Sequence, residues 1–311
     1  MTITTEPTSS RPAQPVAAPT RLENEVPASP PATDASKAPR KVRQGPAGVF
    51  AIVGALVLTV VPVAWMVLAS LKSRNDLYSQ PLRILPSKLV WNNYQRAFNE
   101  VPFLRFFVNS FATTAATTVI KVVLGVTTAY ALVFLRFPAR RLVFWFVVAS
   151  LMVPFEVVLI PNYVTTARLG WLDSWLGIVI PTAGVAFGAF LLHQTFRAIP
   201  TEIIEAAEID GISRWGLMTK VVVPMSRPAI AAFALVTAVA KWNDYLWPRL
   251  VTSKASSTTL PVGLTLLRDS EGVNEWGPIM AGAVLVILPV IPILLFAQRR
   301  VVDGLTGGVK G

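Results

Sequence analysis

Six apolar stretches, each close to the length that crosses a lipid bilayer, constrain the fold of this chain more than any other feature. They cover about residues 47–71, 107–134, 142–161, 176–194, 229–251 and 278–297. A bilayer needs about 20 apolar residues per helix, and its core leaves no exposed backbone group unpaired. The sequence therefore predicts an all-α polytopic membrane protein with six transmembrane helices. Kinks are expected at Pro62, Pro154, Pro181, Pro289 and Pro292.

Composition and charge agree with a membrane location. Only 14% of the residues are charged and 53% are hydrophobic, whereas soluble domains carry about a quarter charged residues. The chain has no cysteine and a single histidine, His193, which excludes disulfides, cysteine nucleophiles and multi-histidine metal sites. The net charge of +11 is attributed to topology, since Lys and Arg gather in cytoplasmic loops of membrane proteins. No basic stripe with interleaved aromatic residues occurs outside the apolar stretches, so nucleic acid is not an expected partner.

The chain is expected to divide into five regions. Residues 1–46 are rich in Pro, Ala, Ser and Thr and are predicted to form a disordered cytoplasmic tail. Residues 47–71 are too long for the apolar part of a secretory signal peptide and are predicted to stay as the first transmembrane helix. An extracytoplasmic loop, 72–106, a core domain of five helices, 107–300, and a cytoplasmic C-terminal tail, 301–311, follow.

The distribution of basic residues predicts that both termini are cytoplasmic. In that orientation the cytoplasmic segments hold Arg40, Lys41, Arg43, Arg136, Arg140, Arg141, Arg197, Arg214, Lys220, Arg227, Arg299, Arg300 and Lys310. The extracytoplasmic loop 72–106 carries six more basic residues and argues against this orientation. Long loops follow the positive-inside rule less closely, so the prediction stands.

A polar segment between the fourth and fifth stretches, residues 200–224, differs from the other loops. Pro200 followed by Thr201 is typical of a helix start, and acidic residues occupy the first turns, where the helix dipole favours them. Gly211 interrupts the pattern, and a second amphipathic turn passes through Trp215. The segment is predicted to form two short cytoplasmic helices, the second lying against the membrane.

This segment resembles the EAA loop of ABC importer permeases. The matching residues are Glu205, Ala206, Ala207, Asp210 and Gly211. The resemblance implies that they form a coupling helix that docks on a separate ATP-hydrolysing subunit; the alternative is an ordinary amphipathic helix at the membrane interface. No Walker-type phosphate loop occurs in the chain. ATP and Mg are therefore expected in the partner ATPase, and this chain is expected to be a non-catalytic permease without a cofactor or metal.

Further motifs resemble the maltose-type carbohydrate permeases over roughly residues 47–311. These are Arg136-Phe137-Pro138, Trp242-Asn243-Asp244-Tyr245 and the Gly-rich end 304–311. Three more stretches look similar to the second permease subunit of sn-glycerol-3-phosphate importers: 151–157, 245–248 and 271–276. The implied solute is sn-glycerol-3-phosphate or a glycerophosphodiester, with a neutral di- or oligosaccharide of the maltose or trehalose type as the alternative.

The resemblance also implies a set of partners in the cytoplasmic (inner) membrane of a bacterium. They are a homologous second permease, two copies of an ABC ATPase subunit and an extracytoplasmic solute-binding protein, with lipid around the helices. The loop 253–277, through Glu271, Gly272 and Val273, would contact the binding protein. Gly307 and Gly308 in the C-terminal tail would contact the ATPase dimer.

Ionisable residues inside the apolar stretches are candidates for a solute pathway. Counting about 1.5 Å per residue from the basic helix ends gives Lys121, Glu156 and Lys241 a similar depth of roughly 20 Å. Together with Asn243 and Asp244 they are predicted to form a polar layer, in which a lysine attracts a phosphate and Glu156 balances its charge. Alternatively, Lys241 and Asp244 reach the outer interface, or Lys121 and Glu156 pair only for packing.

Three other features carry simpler interpretations. Gly184 and Gly188 form a small-xxx-small pair that predicts the close approach of a neighbouring helix. Trp242 and Tyr245 are assigned to the outer aromatic belt, and His193 to a structural or interfacial position.

Two other classes of protein fit the sequence poorly. A membrane-embedded enzyme would need a nucleophile–base pair or a metal set, and neither occurs. An ion-coupled secondary transporter would often contain paired halves with interrupted helices, and no such repeat is evident. The EAA-type loop also has no evident role in a secondary transporter.

Overall fold

A computed structural model of the chain describes residues 46–267 and 275–292, and within them every regular element is a helix. The elements are α1 (Pro46–Ser70), α2 (Arg74–Leu77), α3 (Asn92–Asn99), α4 (Phe103–Phe134), α5 (Arg140–Ser150), α6 (Phe155–Arg168), α7 (Trp175–Val179), α8 (Ala186–Arg197), α9 (Thr201–Ile209), α10 (Arg214–Gly216), a π-helical turn (Leu217–Val222), α11 (Val223–Met225), α12 (Arg227–Trp242), α13 (Leu246–Val251), α14 (Leu260–Gly263), a 3-10 turn (Leu264–Leu267) and α15 (Trp276–Ile287). The chain divides into two compact units, Met1–Gly54 and Ala55–Gly311. The described part of the first unit is helical. The candidate functional residues lie in the second unit.

Two helices are long and apolar enough to cross a membrane without interruption. They are α1 and α4, of 25 and 32 residues. Pro62 lies inside α1 and does not end it. These two helices coincide with the first two predicted stretches, and α4 begins four residues before its stretch.

Three of the predicted spans are not single helices. The stretch 142–161 is divided between α5 and α6, which meet at an angle of 97°. The stretch 176–194 is interrupted between α7 and α8, and 229–251 between α12 and α13. Pro154 and Pro181 lie at the first two breaks, where the missing proline N–H removes a helical hydrogen bond. At the third break the Asn243 side chain donates to the Val239 carbonyl at 2.8 Å, a local contact that competes with helix continuation.

The last predicted span is described only in part. Helix α15 ends at Ile287, and Leu288 and Pro289 form a turn before helical residues resume up to Pro292. The interruption at Pro289 agrees with the expected kink. The predicted disordered tail, the tip of the loop 253–277 and the C-terminal tail lie outside the described residues. By length and composition, the described part contains two spans, or up to four if each bent helix pair counts as one.

Helix α4 packs against α8 and α12 through a close approach at Gly188. A Cβ atom on Gly188 would lie 2.2 Å from the Phe233 ring of α12, and one on Gly125 of α4 would lie 3.4 Å from the Gly188 backbone. Gly184 has no atom within 4 Å of its Cβ position. The predicted close approach is therefore confirmed at Gly188 and wrong at Gly184.

The segment between α1 and α4 contains three buried polar side chains, Lys72, Asp76 and Asn93. Lys72 donates from Nζ to the Arg83 carbonyl at 2.5 Å and lies 4.1 Å from the centroid of the Trp65 ring. Asn93 on α3 donates to the Ser70 and Lys72 carbonyls, both at 2.9 Å. The two bonds from Asn93 satisfy carbonyls at the end of α1 and hold α3 against it.

Candidate functional site

The predicted EAA helix is α9, and its sequence divides between a surface and a core. Pro200 precedes it in an extended conformation, and Glu202 occupies its first turn, where the carboxylate complements the helix dipole. Glu205 and Ala206 are exposed, whereas Ala207 is buried in a core cluster with residues of α4, α8 and the π-helical turn. The triplet thus presents one face outward and uses its last residue to fix the helix to the protein.

The end of α9 is a tight turn that depends on Gly211. Asp210 is the C-cap residue after Ile209, and Gly211 follows with a φ of 74°. The N–H of Gly211 donates to the Glu208 carbonyl at 3.0 Å, and the N–H of Ile212 to the Ala207 carbonyl at 3.1 Å. This is the Schellman arrangement, which favours glycine because the residue after the C-cap takes a left-handed conformation. The predicted helix and turn are therefore present.

After this turn the chain returns to the bundle through an unusual helix. Ser213 accepts a hydrogen bond from the N–H of Gly216 at 3.1 Å and caps α10. The next turn is π-helical: the N–H of Val223 donates to the Met218 carbonyl, five residues back. It ends before Pro224, which has no N–H to continue an α-helical pattern. The segment Arg214–Met225 meets α12 at an angle of 78°.

Two large apolar side chains beside the turn face away from the protein. Ile209 is 85% exposed and Trp215 is 69% exposed. The acidic side chains Glu205, Glu208 and Asp210 are exposed on the same segment. An exposed apolar pair with a polar rim is typical of a protein contact.

The EAA loop is tied to α4 by one hydrogen bond and a packed core. Tyr130 of α4 donates from Oη to the Arg214 carbonyl at 2.6 Å. Behind it, Phe196 of α8, Met218 and Phe233 belong to the same buried cluster as Ala207. These contacts connect the EAA loop to the long helix α4.

The polar cluster inside the bundle is centred on Lys241. Its Nζ donates to Asp244 Oδ2 at 2.9 Å, to Thr182 Oγ1 at 3.1 Å and to the Ile178 carbonyl at 3.2 Å. An ammonium group has three donors, so all are engaged, and the side chain is 6% exposed. Lys241 therefore binds α12 to the end of α7, where the break at Pro181 leaves helical carbonyls without their usual partners.

Lys121 differs from Lys241 in its surroundings. It makes no hydrogen bond or ion pair with the described residues, and it lies within electrostatic range of Lys241 and Asp244. On the same side of α4, the hydroxyl groups of Thr114, Thr117 and Thr118 are buried without a hydrogen-bond partner in the described part of the chain. Other helical threonines bond to the carbonyl four residues earlier, as Thr113, Thr127 and Thr165 do. This part of α4 thus combines a free cation with free hydroxyl groups.

The predicted charge partner, Glu156, does not join this cluster. It is exposed in the first turn of α6 and forms no ion pair with any described residue. Asp244 takes that role because it lies three residues after Lys241 on the same helix end. Trp242 is also not in a lipid-facing aromatic belt: it is 5% exposed, and its Nε1 donates to the Val286 carbonyl at 3.1 Å.

The base of the loop 253–277 is anchored by residues that the sequence analysis did not identify. Asp173 accepts hydrogen bonds from the N–H groups of Ser253 at 2.6 Å and Lys254 at 2.8 Å. These bonds, chiefly that from Ser253, hold the pKa of the Asp173 carboxyl below its usual value. Asn109 of α4 donates to the Ser256 and Thr258 carbonyls at 2.9 Å. No short sequence motif marks these partners, which lie 80 or more residues apart.

The remaining predicted site residues lie outside the described residues. These are Glu271, Gly272, Val273, Gly307 and Gly308. Within the described ranges, no group of three or more His, Asp and Glu side chains is arranged to hold a metal ion.

Residues 121–306 match the family described as binding-protein-dependent transport system inner membrane component. The chain is 34% identical over 269 residues to the sn-glycerol-3-phosphate transport system permease proteins UgpE of Pectobacterium atrosepticum and Yersinia enterocolitica, covering 84% of this chain and 95% of each relative. The corresponding protein of Escherichia coli is 33% identical over 249 residues, covering 78% and 89%.

Solved structures show the same fold. A chain of a bacterial ABC transporter involved in the import of the acidic polysaccharide alginate superposes with a TM-score of 0.71 and 26% identity, covering 81% of this chain and 96% of that chain. The MetNI methionine ABC transporter, at a TM-score of 0.50 and 18% identity over 65% of this chain and 95% of that chain, agrees in fold alone.

The helical fold, the EAA loop and these matches define a multi-pass membrane permease of ABC importers, which is a transport subunit and not an enzyme. The chain belongs to the family of binding-protein-dependent transport system inner membrane components.

Proposed function

We propose that this permease translocates sn-glycerol-3-phosphate or a glycerophosphodiester across the cytoplasmic membrane by alternating access. The observation that carries the proposal is the 34% identity, over 84% of the chain, to permeases named for sn-glycerol-3-phosphate transport. The cationic and hydroxyl-rich side of α4 supports it, because a glycerol phosphate offers both an anionic phosphate and hydroxyl groups.

The proposal includes the partners that such a permease needs. They are a homologous second permease, two copies of an ABC ATPase that hold ATP and Mg, and an extracytoplasmic solute-binding protein. The chain would have six spans and both termini in the cytoplasm of a bacterium. Gly307 and Gly308 would contact the ATPase dimer, and Glu271, Gly272 and Val273 would contact the binding protein. The anchored base of the loop 253–277 supports the last assignment, because a fixed base limits where the loop tip can reach.

We assign coupling to Glu205, Ala206, Ala207, Asp210 and Gly211. The exposed face of α9, with Ile209 and Trp215 beside it, would dock on the ATPase, and the core behind Ala207 would carry the motion to α4. Glu205→Lys should weaken association with the ATPase subunit without unfolding the permease, because the side chain is exposed. Gln95→Lys, which introduces a lysine at an exposed position of α3, is the control for placing a cationic side chain on the surface. Equal ATPase association in both variants would refute the coupling assignment.

Within the solute pathway, the geometry favours different roles for the two lysines. Lys121 has free donors and would attract the phosphate, whereas Lys241 and Asp244 form a satisfied pair that shapes the pathway beside Asn243. Glu156, exposed at the start of α6, would line the pathway outside the Lys241 cluster. Lys121→Met should abolish uptake while assembly persists. Lys241→Met should instead lower the melting temperature, since it leaves Asp244 partly buried and unpaired.

The decisive experiment is solute-stimulated ATPase activity of the reconstituted complex with its binding protein. The solutes to compare are sn-glycerol-3-phosphate, glycerophosphocholine, maltose and trehalose. Stimulation by the phosphate compounds alone supports the proposal. Uptake driven by an ion gradient without the ATPase would contradict it and favour a secondary transporter.

A carbohydrate importer is the second candidate. It is favoured by the 26% identity to the alginate importer chain, although alginate is acidic and the alternative solute is a neutral di- or oligosaccharide. Stimulation by maltose or trehalose alone would select this candidate, with the same coupling mechanism. Lys121 would then have no anion to bind.

A further inference from the structure

A cavity of about 590 Å³ lies beside the EAA loop, between the end of α8 and the start of α5. Arg140, Arg141, Arg197, Phe144, Trp145 and His193 are among its lining residues. Thr201 and Ile204 of α9 complete one wall. The cavity therefore touches the helix assigned to coupling, but it is separate from the polar cluster around Lys241.

The cavity carries positive charge that the described residues do not balance. No acidic side chain lines it, and none of its three arginines forms an ion pair with a described residue. Arg140 donates from Nη1 to the carbonyls of Val133 and Leu135 at 3.1 and 3.2 Å, which fixes its position. Arg141 and Arg197 have no hydrogen bond within the described part of the chain, so their guanidinium donors are available. Arginine pairs are well suited to bidentate phosphate binding.

His193 supplies an independent sign of a missing ligand. The residue is 7% exposed, and its Nδ1 is buried without a hydrogen-bond partner among the described residues. The ring lies 4.4 Å from the ring of Phe144, centroid to centroid, so its orientation is held by packing. A buried ring nitrogen without a partner costs free energy. Because the His193 ring lines the cavity, an anionic oxygen there would accept a hydrogen bond from the side of the ring that faces it.

The other walls of the cavity indicate what kind of molecule the anionic group belongs to. Phe144, Trp145 and Phe196 give the cavity an aromatic side. The adjoining surface of α5 exposes Leu142 at 70% and Phe146 at 75%, as expected for a helix in contact with acyl chains. A site that joins arginines to a lipid-exposed apolar surface fits an amphiphile better than a small soluble anion.

We propose that this cavity binds the phosphate headgroup of an anionic phospholipid. Arg141 and Arg197 would hold the phosphate, His193 would donate to one of its oxygens, and the acyl chains would lie along α5. The occupied cavity would brace the start of α9, so that anionic lipid stabilises the EAA loop. This binding is independent of which solute the permease carries.

The test measures lipid binding to the full-length purified chain in detergent. Native mass spectrometry compares retention of phosphatidylglycerol with that of phosphatidylcholine for the wild type, Arg141→Gln/Arg197→Gln and Arg227→Gln. Arg227 is an exposed arginine at the start of α12 that does not line the cavity and serves as the control. The wild type and the control should prefer phosphatidylglycerol by about tenfold or more, and the double variant should lose that preference.

Three results would overturn the proposal. The first is an unchanged lipid preference in the double variant. The second is displacement of phosphatidylglycerol by inorganic phosphate at similar concentration, which would assign the cavity to a soluble anion. The third is loss of ATPase association in the double variant with lipid binding intact, which would make the arginines part of the subunit interface. His193→Phe, which keeps the ring contact with Phe144, should weaken lipid retention without lowering the melting temperature.

Discussion

Two residues with left-handed backbone conformations hold the loops at which this permease would meet other proteins. Gly211 ends α9 with a φ of 74°, and Asp173 anchors the base of the loop 253–277 with a φ of 56°. After α9, the N–H groups of Gly211 and Ile212 bond to carbonyls in the last turn of the helix. At Asp173, the carboxylate accepts hydrogen bonds from the N–H groups of Ser253 and Lys254. Substitutions at these positions test the loops without disturbing the core.

At Gly211 the constraint is conformational, because a Cβ atom would meet nothing within 4 Å. A β-branched side chain is strained at positive φ, whereas asparagine tolerates it. Gly211→Val should destabilise the loop by about 1–2 kcal/mol and weaken ATPase association, while Gly211→Asn should stay close to the wild type. Thermal unfolding and co-purification with the ATPase subunit would measure both. Equal behaviour of the two variants would show that the turn does not depend on backbone conformation.

At Asp173 the prediction concerns pH. The N–H groups of Ser253 and Lys254 stabilise the ionised carboxylate, so its pKa is lowered in the folded protein. The stabilisation is complete above the usual carboxyl pKa of about 3.9 and is lost as the pH falls through the lower, folded-state value. Asp173→Asn should therefore reduce protection of these two amides from hydrogen exchange at neutral pH, and acidification should bring the wild type down to the variant.

The amide of Leu260 is an internal control for that experiment. It donates to the Ser110 hydroxyl at 2.7 Å, an acceptor that does not titrate in this range. Its protection factor should stay constant while those of Ser253 and Lys254 fall. A parallel loss at all three amides would indicate general unfolding of the loop instead.

At the residue scale, the sequence predicted features formed by neighbouring residues but not contacts between residues far apart in the chain. The EAA pattern and the glycine after it are contiguous, so the helix, its end and the positive φ at Gly211 could be foreseen. The contacts of Tyr130 with Arg214 and of Asp173 with Ser253 join residues 84 and 80 positions apart. Glu156 was assigned to a charge pair from its depth alone, and depth does not determine which side of a helix a residue occupies.

Among the elements, hydropathy located the apolar helices but not their interruptions. An apolar stretch indicates only that its side chains avoid water. A broken helix keeps them away from water as well as a straight one does, provided that the break is buried in protein. Pro154 and Pro181 were expected to kink helices and instead lie at breaks, one of which turns the chain by 97°. The unbroken passage of α1 through Pro62 shows that proline alone does not decide the outcome.

Gly188, at the crossing of α8 with α12, and Gly184, in the connection before α8, form a contrasting pair of glycines. Gly188→Ala forces a Cβ atom against the Phe233 ring, whereas Gly184→Ala meets open space. Overpacking of this kind typically costs about 1–3 kcal/mol, so Gly188→Ala should lower the melting temperature and Gly184→Ala should leave it nearly unchanged. Phe233→Leu should partly restore Gly188→Ala by removing the opposing ring. Thermal unfolding in detergent distinguishes these outcomes, and equal effects of the two glycine substitutions would argue against this packing.

For the molecule as a whole, α4 connects the two candidate contact regions. Near one end, Asn109 and Ser110 hold the loop after α13. Near the other, Tyr130 holds the EAA loop. A single uninterrupted helix thus joins the surface proposed for the binding protein to the surface proposed for the ATPase.

Tyr130→Phe tests that connection. The substitution keeps the ring in its core and removes only the hydrogen bond to the Arg214 carbonyl, worth about 1 kcal/mol. ATPase association should persist because the exposed face of α9 is unchanged, while solute uptake per ATP hydrolysed should fall. Val133→Ala, a truncation one turn away on the same helix, is the control for a general packing effect. An unchanged ratio in Tyr130→Phe would mean that α9 moves α4 through packing alone.

The length of α4 has a consequence for how it sits in the bilayer. Its 32 residues extend about 48 Å, against a hydrocarbon thickness of about 30 Å. Accommodating all of it would require a tilt of about 50°, beyond the usual range of 0–40°. A turn or more must therefore project past the acyl region, and the first turns, which carry Arg105 and Asn109, have the polarity to do so. Because α4 is longer than the hydrocarbon core, one of its ends lies in the aqueous or headgroup region. A thicker or thinner membrane would therefore change the tilt angle of the helix.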